Sequence, residues 1–219
     1  MNSDILDTAQ IKNSKIFLKE HHQERTYEAF QFLKLSVSRH DINRCYVEIE
    51  NKYAAEDNRM LRIVFSRKLP LSFDVQVLAL EELRQPMRLS PVPTVEFPKG
   101  SSRFKWEDRS LWTEMLKHKR NKADDFLLLN ESGLLVETSR FNLFCFDPMK
   151  DIVLTPELSS GCLNGVYRRH VLDLGSISLP EFKEKKIIEQ NVRIVDIGNY
   201  RLFVAKSVRE VLTAAFMPG

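Results

Sequence analysis

Three short apolar runs near the middle of the chain constrain its fold more than any other feature. They cover residues 126–129, 134–137 and 143–146, and turn-forming stretches at 131–133 and 139–142 separate them. Runs of this length, rich in Leu, Val and Phe and bounded by Gly, Ser and Asn, are typical of β-strands. The sequence therefore predicts three consecutive strands in this region.

Glu137 is the unusual residue in these runs, because it ends one apolar strand and comes shortly before the next. A carboxylate in that position either lies at a solvated edge or faces a cationic partner inside the protein. The residues alone leave both alternatives open. We expect Lys105 to lie next to such a cationic partner of Glu137 rather than to be that partner.

Helices and strands alternate along the rest of the chain. A strand pair is predicted over residues 5–17, with its turn at Asn13 and Ser14. Helical periodicity is present at 20–33, 111–116, 164–174 and 179–184, and residues 41–53 form a helical or mixed segment. Further strands are predicted at 60–65, 75–81, 185–188, 192–195 and, as the last, 202–205. This alternation predicts an α/β (α+β) fold with mixed sheets.

The segment from residue 85 to residue 103 differs in composition from the rest. It holds Pro86, Pro91, Pro93, Pro98 and Gly100. Proline lacks a backbone N–H donor, so we expect neither a helix nor a central strand here. The segment is predicted to contain the domain boundary, with an N-terminal domain at 1–88, a linker at 89–103 and a C-terminal domain at 104–219.

Charge and cysteine content exclude several classes of protein. The 33 basic and 30 acidic residues are mixed along the chain and give a net charge of +3, which favours a solvated surface over a nucleic-acid-binding stripe. No apolar run reaches the roughly 18 residues of a membrane helix, and no secretory segment follows Met1. The three cysteines are unpaired by count and lack metal-type spacing, which suits a reducing cytoplasm. Together these observations predict a cytoplasmic protein that binds no metal, membrane or nucleic acid.

His22 and Arg25 share one face of the predicted helix at 20–33, because they lie three residues apart. From the residues alone, this face is either solvated or part of a binding site.

Several motifs, taken in order and spacing, resemble those of the class IV aminotransferases, the pyridoxal-phosphate enzymes of fold type IV. The similarity spans most of the chain, and the most similar members are short ones, either of the aminodeoxychorismate lyase type or generic class IV aminotransferases. The motifs are HQER at 22–25, KWEDR at 105–109, DDFLL at 124–128, Gly133, ETSRFNLF at 137–144, TP at 155–156, GVYR at 165–168 and FVAKS at 203–207.

The resemblance implies a two-domain fold, with a small N-terminal α/β domain and a larger C-terminal mixed-sheet domain shaped as a pseudo-barrel. It also implies pyridoxal 5'-phosphate as the cofactor, a small-molecule amino substrate and a homodimer.

Lys105 is the candidate for the covalent bond to the cofactor aldehyde. It stands between Phe104 and Trp106, and reduced hydration disfavours the ammonium form of a lysine. The alternative is an ordinary linker lysine. A competing site at Lys117 would leave no room for the family's helix before Asp124.

The resemblance also implies the other cofactor contacts. Glu137 would keep the pyridine nitrogen protonated, and Arg25 would pair with the phosphate through its planar guanidinium. The phosphate would further contact a helix start and a nearby hydroxyl, through Asn164, Gly165, Val166, Tyr167 and Ser207.

Two positions depart from the family pattern. Ser110 stands where several members have an active-site tyrosine, and Tyr167 stands where a smaller threonine is frequent. At Tyr167 we therefore expect only the backbone amide to contact phosphate.

Three functions are consistent with these residues. The first is a 4-amino-4-deoxychorismate lyase of folate biosynthesis, which releases pyruvate and forms 4-aminobenzoate. The second is an amino-acid aminotransferase of the branched-chain or D-amino acid type. The third is a non-catalytic binding module of the same fold.

Overall fold

The computed structural model describes residues 3–92, 101–208 and 211–218. The chain divides into two compact units, one formed by Met1–Glu82 with Phe104–Asp108 and the other by Leu83–Arg103 with Arg109–Gly219. Within the described residues, no helix is long and apolar enough to cross a membrane.

The first unit packs two helices against an antiparallel sheet. The sheet order is β2-β1-β3-β4, and alternate residues of β3 are fully buried, as expected for a strand with one face on a core. Ser38 and Asp41 form a reciprocal capping box that fixes the start of α2. The elements are β1 (Ile5–Lys12), β2 (Lys15–Ile16), α1 (Lys19–Phe32), α2 (Arg39–Tyr53), β3 (Met60–Phe65) and β4 (Phe73–Leu78).

The second unit is built on a mixed nine-stranded sheet. Its order is β10-β11-β9-β8-β12-β13-β5-β6-β7, and β7 also pairs with β8. The elements are β5 (Met87–Val92), α3 (Ser110–Lys117), β6 (Asp125–Leu129), β7 (Leu135–Thr138), β8 (Asn142–Asp147), β9 (Ile152–Thr155), α4 (Val166–Leu174), β10 (Ser176–Ile177), β11 (Lys185–Glu189), β12 (Arg201–Ala205) and β13 (Leu212–Phe216), with short 3-10 helices at Ser101–Arg103, Leu158–Ser160 and Ile194–Asn199.

The β7–β8 pairing closes six of these strands into a ring. Each of β8, β12, β13, β5, β6 and β7 pairs with the next, and the last returns to the first. Closure removes the free edges that an open sheet of these strands would expose. The expected mixed-sheet pseudo-barrel is therefore confirmed, as are the three central strands from which the prediction began.

The segment Phe104–Asp108 lies with the first unit, although the predicted division placed it in the C-terminal domain. The backbone explains this: the N–H of Leu6 donates to the carbonyl of Lys105 at 2.9 Å, and the N–H of Glu107 donates to that of Asp4 at 2.9 Å. The segment thus runs beside β1. The predicted domain bounds stay a prediction, and residues 93–100 of the predicted linker lie outside the described residues.

The expectation that residues 85–103 contain no central strand is wrong, because β5 lies between β13 and β6 and includes Pro91. The carbonyl of Leu89 accepts the N–H of Met217 at 2.8 Å, so Leu89 and Pro91, two residues apart, present their peptide groups toward β13. Pairing with β13 ends at Leu89. The missing N–H of Pro91 therefore removes no hydrogen bond from the ladder.

Three other predictions near the C-terminus are wrong. Residues 179–184 form no helix, because the antiparallel pairing of Ile177 with Lys185 makes them the loop of a hairpin. Residues 192–195 form no strand; the Ile194 N–H bonds to the carbonyl of Gly133 and a 3-10 helix begins there. Strand β12 is not the last, since β13 follows it and pairs with it.

Phe144 offers a test of the core of the second unit, since its side chain is fully buried in β8. We expect Phe144→Ala to lower the free energy of unfolding by about 3–5 kcal/mol, because the change leaves a cavity. Met149→Ala is the control, because Met149 is 91% exposed, and it should change that free energy by less than about 0.5 kcal/mol. Equal effects in chemical denaturation would contradict this description of the core.

Candidate active site

Lys105 is anchored to β1 by both its backbone and its side chain. Its carbonyl accepts the N–H of Leu6, and its half-buried side chain donates from Nζ to Thr8 Oγ1 at 2.6 Å. Its aromatic neighbours Phe104 and Trp106 pack on Phe32, with ring centroids 5.0 and 6.3 Å away. The structure thus places the amine beside a hydroxyl.

Arg25 lies in a buried network that centres on the carboxylate of Asp7. The Arg25 guanidinium donates to Asp7 Oδ1, while His22 Nδ1 and the Tyr46 hydroxyl donate to Oδ2 at 2.7 and 2.6 Å. Thr26 extends the network, since its Oγ1 lies 2.8 Å from the Tyr46 oxygen. The alternative of a solvated helix face is excluded for Arg25, which is only 6% exposed.

The charge of Asp7 follows from these neighbours. Burial alone would raise the pKa of Asp7, but the facing charges of His22 and Arg25 and the hydrogen bonds from His22 and Tyr46 lower it below its usual value. Burial, together with the same carboxylate, raises the pKa of Tyr46 well above its usual value. The network therefore holds an ionised carboxylate against a cationic guanidinium.

Asp7 and Thr8 are adjacent in β1, so their side chains leave the strand on opposite sides. Arg25 contacts the strand on the side that packs against the helices, and Lys105 contacts Thr8 on the other. Sequence analysis missed both strand residues. Their only signal was polar side chains inside an otherwise apolar run, and their roles depend on which residues the fold brings to them.

Glu137 is buried at the point where the ring of strands closes. It pairs with Asn142 across β7 and β8, and its Oε2 accepts the Leu163 N–H at 3.0 Å and Asn142 Nδ2 at 3.4 Å. Asn142 Nδ2 also donates to the Leu163 carbonyl at 2.9 Å. The solvated-edge alternative for Glu137 is therefore wrong, and both of these donors are amides.

Arg109 brings a positive charge into the same unit. Its guanidinium donates to the Ser139 carbonyl and lies over the Trp112 ring, 4.5 Å from the centroid. Burial lowers the pKa of Arg109 to about 10, while the carboxylates of Glu137 and Asp125 favour its charged form. The sequence left open whether Glu137 has a cationic partner. Arg109 provides a positive charge that interacts with it.

The start of α4 forms a second polar group beside Glu137. Gly165 is the N-cap, and among the described residues no side chain caps the helix. The first backbone N–H groups of a helix have no partner within it and attract anions. A Cβ on Gly165 would lie 1.8 Å from Asn142 Oδ1, so only glycine allows this approach.

Tyr167, Asn164 and Ser207 complete the set of predicted residues. The Tyr167 ring packs edge-on against Phe144 with centroids 6.3 Å apart, and the N–H of Asn164 donates to the carbonyl of Arg103 at 3.3 Å. Asn164 is not the helix N-cap. Ser207 is buried and comes two residues after Ala205, the last residue of β12. Because Ala205 pairs with Asn142, Ser207 follows β12 at the end where β8 begins.

The predicted residues divide between the two units. Arg25 and Lys105 lie in the first; Glu137, Asn164, Gly165, Val166, Tyr167 and Ser207 lie in the second. By donor chemistry, the half-buried amine and the buried guanidinium of the first unit suit an aldehyde and a phosphate, and the uncapped helix amides and the fixed carboxylate of the second suit a phosphate and a ring nitrogen. The donors of each unit therefore have the chemistry that the sequence implied for the cofactor.

A family profile described as "Amino-transferase class IV" matches residues 4–214. A Schizosaccharomyces pombe (strain 972 / ATCC 24843) protein named "Putative aminodeoxychorismate lyase" is 27% identical over 138 residues, which cover 60% of this chain and 59% of that protein. The match thus spans less than two thirds of the relative's length.

Solved structures are similar across nearly the whole chain. One from Legionella pneumophila, described as a "Putative 4-amino-4-deoxychorismate lyase", has a TM-score of 0.79 and 17% identity, covering 98% of this chain and 83% of that one. A Mycobacterium tuberculosis "hypothetical aminotransferase" in its PLP-bound form has a TM-score of 0.78 and 14% identity, covering 98% and 81%. At these identities the similarity establishes the fold alone.

Gly165 provides a test of the α4 start. We expect Gly165→Ala to lower the free energy of unfolding by about 1–3 kcal/mol, because the added methyl group displaces Asn142 from its contacts with Glu137 and Leu163. Gly198→Ala is the matched control, since its added Cβ would meet no atom within 4 Å outside its own local backbone. Thermal and chemical denaturation measure both, and similar losses would argue against the close contact at Gly165.

Proposed function

Because the chain belongs to the class IV aminotransferase family, we propose that it is a pyridoxal-phosphate-dependent lyase that converts 4-amino-4-deoxychorismate to 4-aminobenzoate and pyruvate. The observation that carries an enzymatic function is the Lys105 amine, held 2.6 Å from the Thr8 hydroxyl. The named lyases from S. pombe and L. pneumophila support the choice of reaction.

Lys105 has two roles in this proposal. Its amine would hold the cofactor through the aldehyde, and as a free base it would take the proton from the substrate carbon that carries the amino group. Thr8 accepts a hydrogen bond from the displaced amine and so limits its movement. Loss of pyruvate then makes the substrate ring aromatic, which drives the reaction forward.

Glu137 would hold a proton on the pyridine nitrogen of the cofactor. A neutral side chain would not keep that proton, whereas a carboxylate fixed by Leu163 and Asn142 presents its charge in one orientation. When bound, the cofactor draws electrons away from the reacting substrate carbon.

Arg25 and the start of α4 would hold the phosphate. Guanidinium stays charged at any working pH and pairs with phosphate oxygens, and helix-start amides add uncharged donors. The amides of Gly165, Val166 and Tyr167 and the side chains of Asn164 and Ser207 are the proposed contacts in the second unit. At Tyr167 only the amide is proposed, because its ring packs on Phe144.

An amino-acid aminotransferase of the branched-chain or D-amino acid type is the second candidate. The similarity to the PLP-bound aminotransferase favours it. Both reactions begin with the same proton removal by Lys105, so the site residues do not separate them. A non-catalytic module is less well supported, because the lysine, the arginine and the carboxylate are all present in ordered contacts.

We further propose that the protein is a cytoplasmic homodimer that acts in folate biosynthesis. The small-molecule amino substrate would be the 4-amino-4-deoxychorismate named above.

Removal of the Lys105 amine tests the covalent site. We expect Lys105→Ala to lose the visible absorbance of bound cofactor and to slow turnover by about 10²–10⁴-fold, because the variant lacks both the bond and the base. Lys117→Ala, which removes an exposed lysine paired with Glu114, is the control and should keep both properties. A borohydride-reducible adduct that persists in Lys105→Ala would move the site to another lysine.

The need for an amino acceptor separates the lyase from the aminotransferase. We expect repeated release of pyruvate from 4-amino-4-deoxychorismate with no keto acid added, because the lyase reaction returns the cofactor unchanged. An aminotransferase would stop after one turnover without a keto acid. The aminotransferase would replace the lyase if pyruvate were absent and leucine, glutamate or D-alanine converted the cofactor to its amine form.

A further inference from the structure

The Asp7 carboxylate is the least solvated charged group around Arg25. It is fully buried in the first unit and accepts hydrogen bonds from Arg25, His22 and Tyr46. These donors come from two helices, α1 and α2, while Asp7 belongs to β1. One carboxylate therefore connects a strand to both helices that pack on it.

The network has more contacts than an ion pair needs. Asp7 Oδ1 binds the guanidinium, and Oδ2 binds His22 and Tyr46, so the carboxylate plane is fixed on both of its oxygens. Tyr46 is in turn bound to Thr26, on the same helix as Arg25. His22 Nε2, also buried, has no hydrogen-bond partner among the described residues.

We infer that Asp7 is a positioning residue for Arg25, with His22 and Tyr46 fixing the Asp7 carboxylate so that the guanidinium is held in the orientation that binds phosphate. The inference deepens the proposed function and rests on its phosphate contact at Arg25. Arginine has a long, flexible side chain, and affinity increases when a binding group is ordered before its ligand arrives.

A purely structural ion pair would behave differently. It would stabilise the first unit but would affect ligands with and without a phosphate to the same degree. The two roles therefore separate when pyridoxal 5'-phosphate is compared with pyridoxal, which has the same ring and aldehyde but no phosphate.

The test measures dissociation constants of both compounds by absorbance titration of the full chain. We expect Asp7→Asn to raise the dissociation constant of pyridoxal 5'-phosphate about tenfold and that of pyridoxal less than about twofold. Arg25→Gln should also lose affinity selectively for pyridoxal 5'-phosphate. The double variant should lose no more of that affinity than Arg25→Gln alone, because Asp7 acts through Arg25.

Glu50→Gln is the matched control. Glu50 is also a buried carboxylate of the first unit, and it accepts hydrogen bonds from the Ile16 N–H and from Lys15 and Lys19. This variant makes the same chemical change away from Arg25. It should lower stability without altering the ratio of the two dissociation constants.

The outcomes distinguish this inference from the proposed function. If Arg25→Gln changes the ratio but a folded Asp7→Asn does not, the positioning role is overturned and the proposed phosphate contact stands. If Arg25→Gln leaves the ratio unchanged, the phosphate contact is wrong and the inference fails with it. Should Asp7→Asn not fold, Tyr46→Phe removes one donor to Asp7, and an unchanged ratio in that variant overturns the inference.

Discussion

The hydrogen bonds that join Glu137, Asn142 and the backbone of Leu163 are the contacts on which the second unit depends. They lie where β7 meets β8, the one pairing that turns a row of strands into a ring. They also bind the loop that leads into α4. Ring closure and the placement of a helix start therefore share the same side chains, and Gly165 is needed because Asn142 already occupies the space a methyl group would take.

The two units solve the problem of a buried carboxylate in different ways. Glu137 is held by amides, with the charge of Arg109 nearby, whereas Asp7 is bound directly by Arg25 and two further donors. Asp125 is a third case, since burial raises its pKa while hydrogen bonds from Ser139 and Phe126 offset part of that effect. Desolvation opposes the ionisation of Asp7 and Asp125, and the neighbours of each decide the outcome.

The sequence predicted most of the elements because apolar periodicity is a local property. The β3 strand was predicted with its observed bounds, and the helices α1 and α2 were predicted to within two residues of theirs. Strand β5 was missed because a proline is compatible with a central strand only when the neighbouring pairing has ended. That condition depends on where β13 stops, which no local pattern contains.

For the candidate site, the sequence named residues but not their contacts. Motif spacing singled out Lys105, Glu137 and Arg25, but it gave no partner for any of them. Thr8 and Asp7 are polar residues in an apolar strand, and their contacts are set by long-range packing of residues far apart in sequence. Assignment of a role to them required the fold.

Pro91 has a further consequence for the order of the strands. If β13 slid two residues further along β5, its next acceptor would face the nitrogen of Pro91, which carries no hydrogen, and one bond of the ladder would be lost. The proline thus penalises the shifted alignment, whereas in the observed one the pairing with β13 ends before Pro91. Proline usually disfavours a β-strand, but here it favours one alignment of two parallel strands over another.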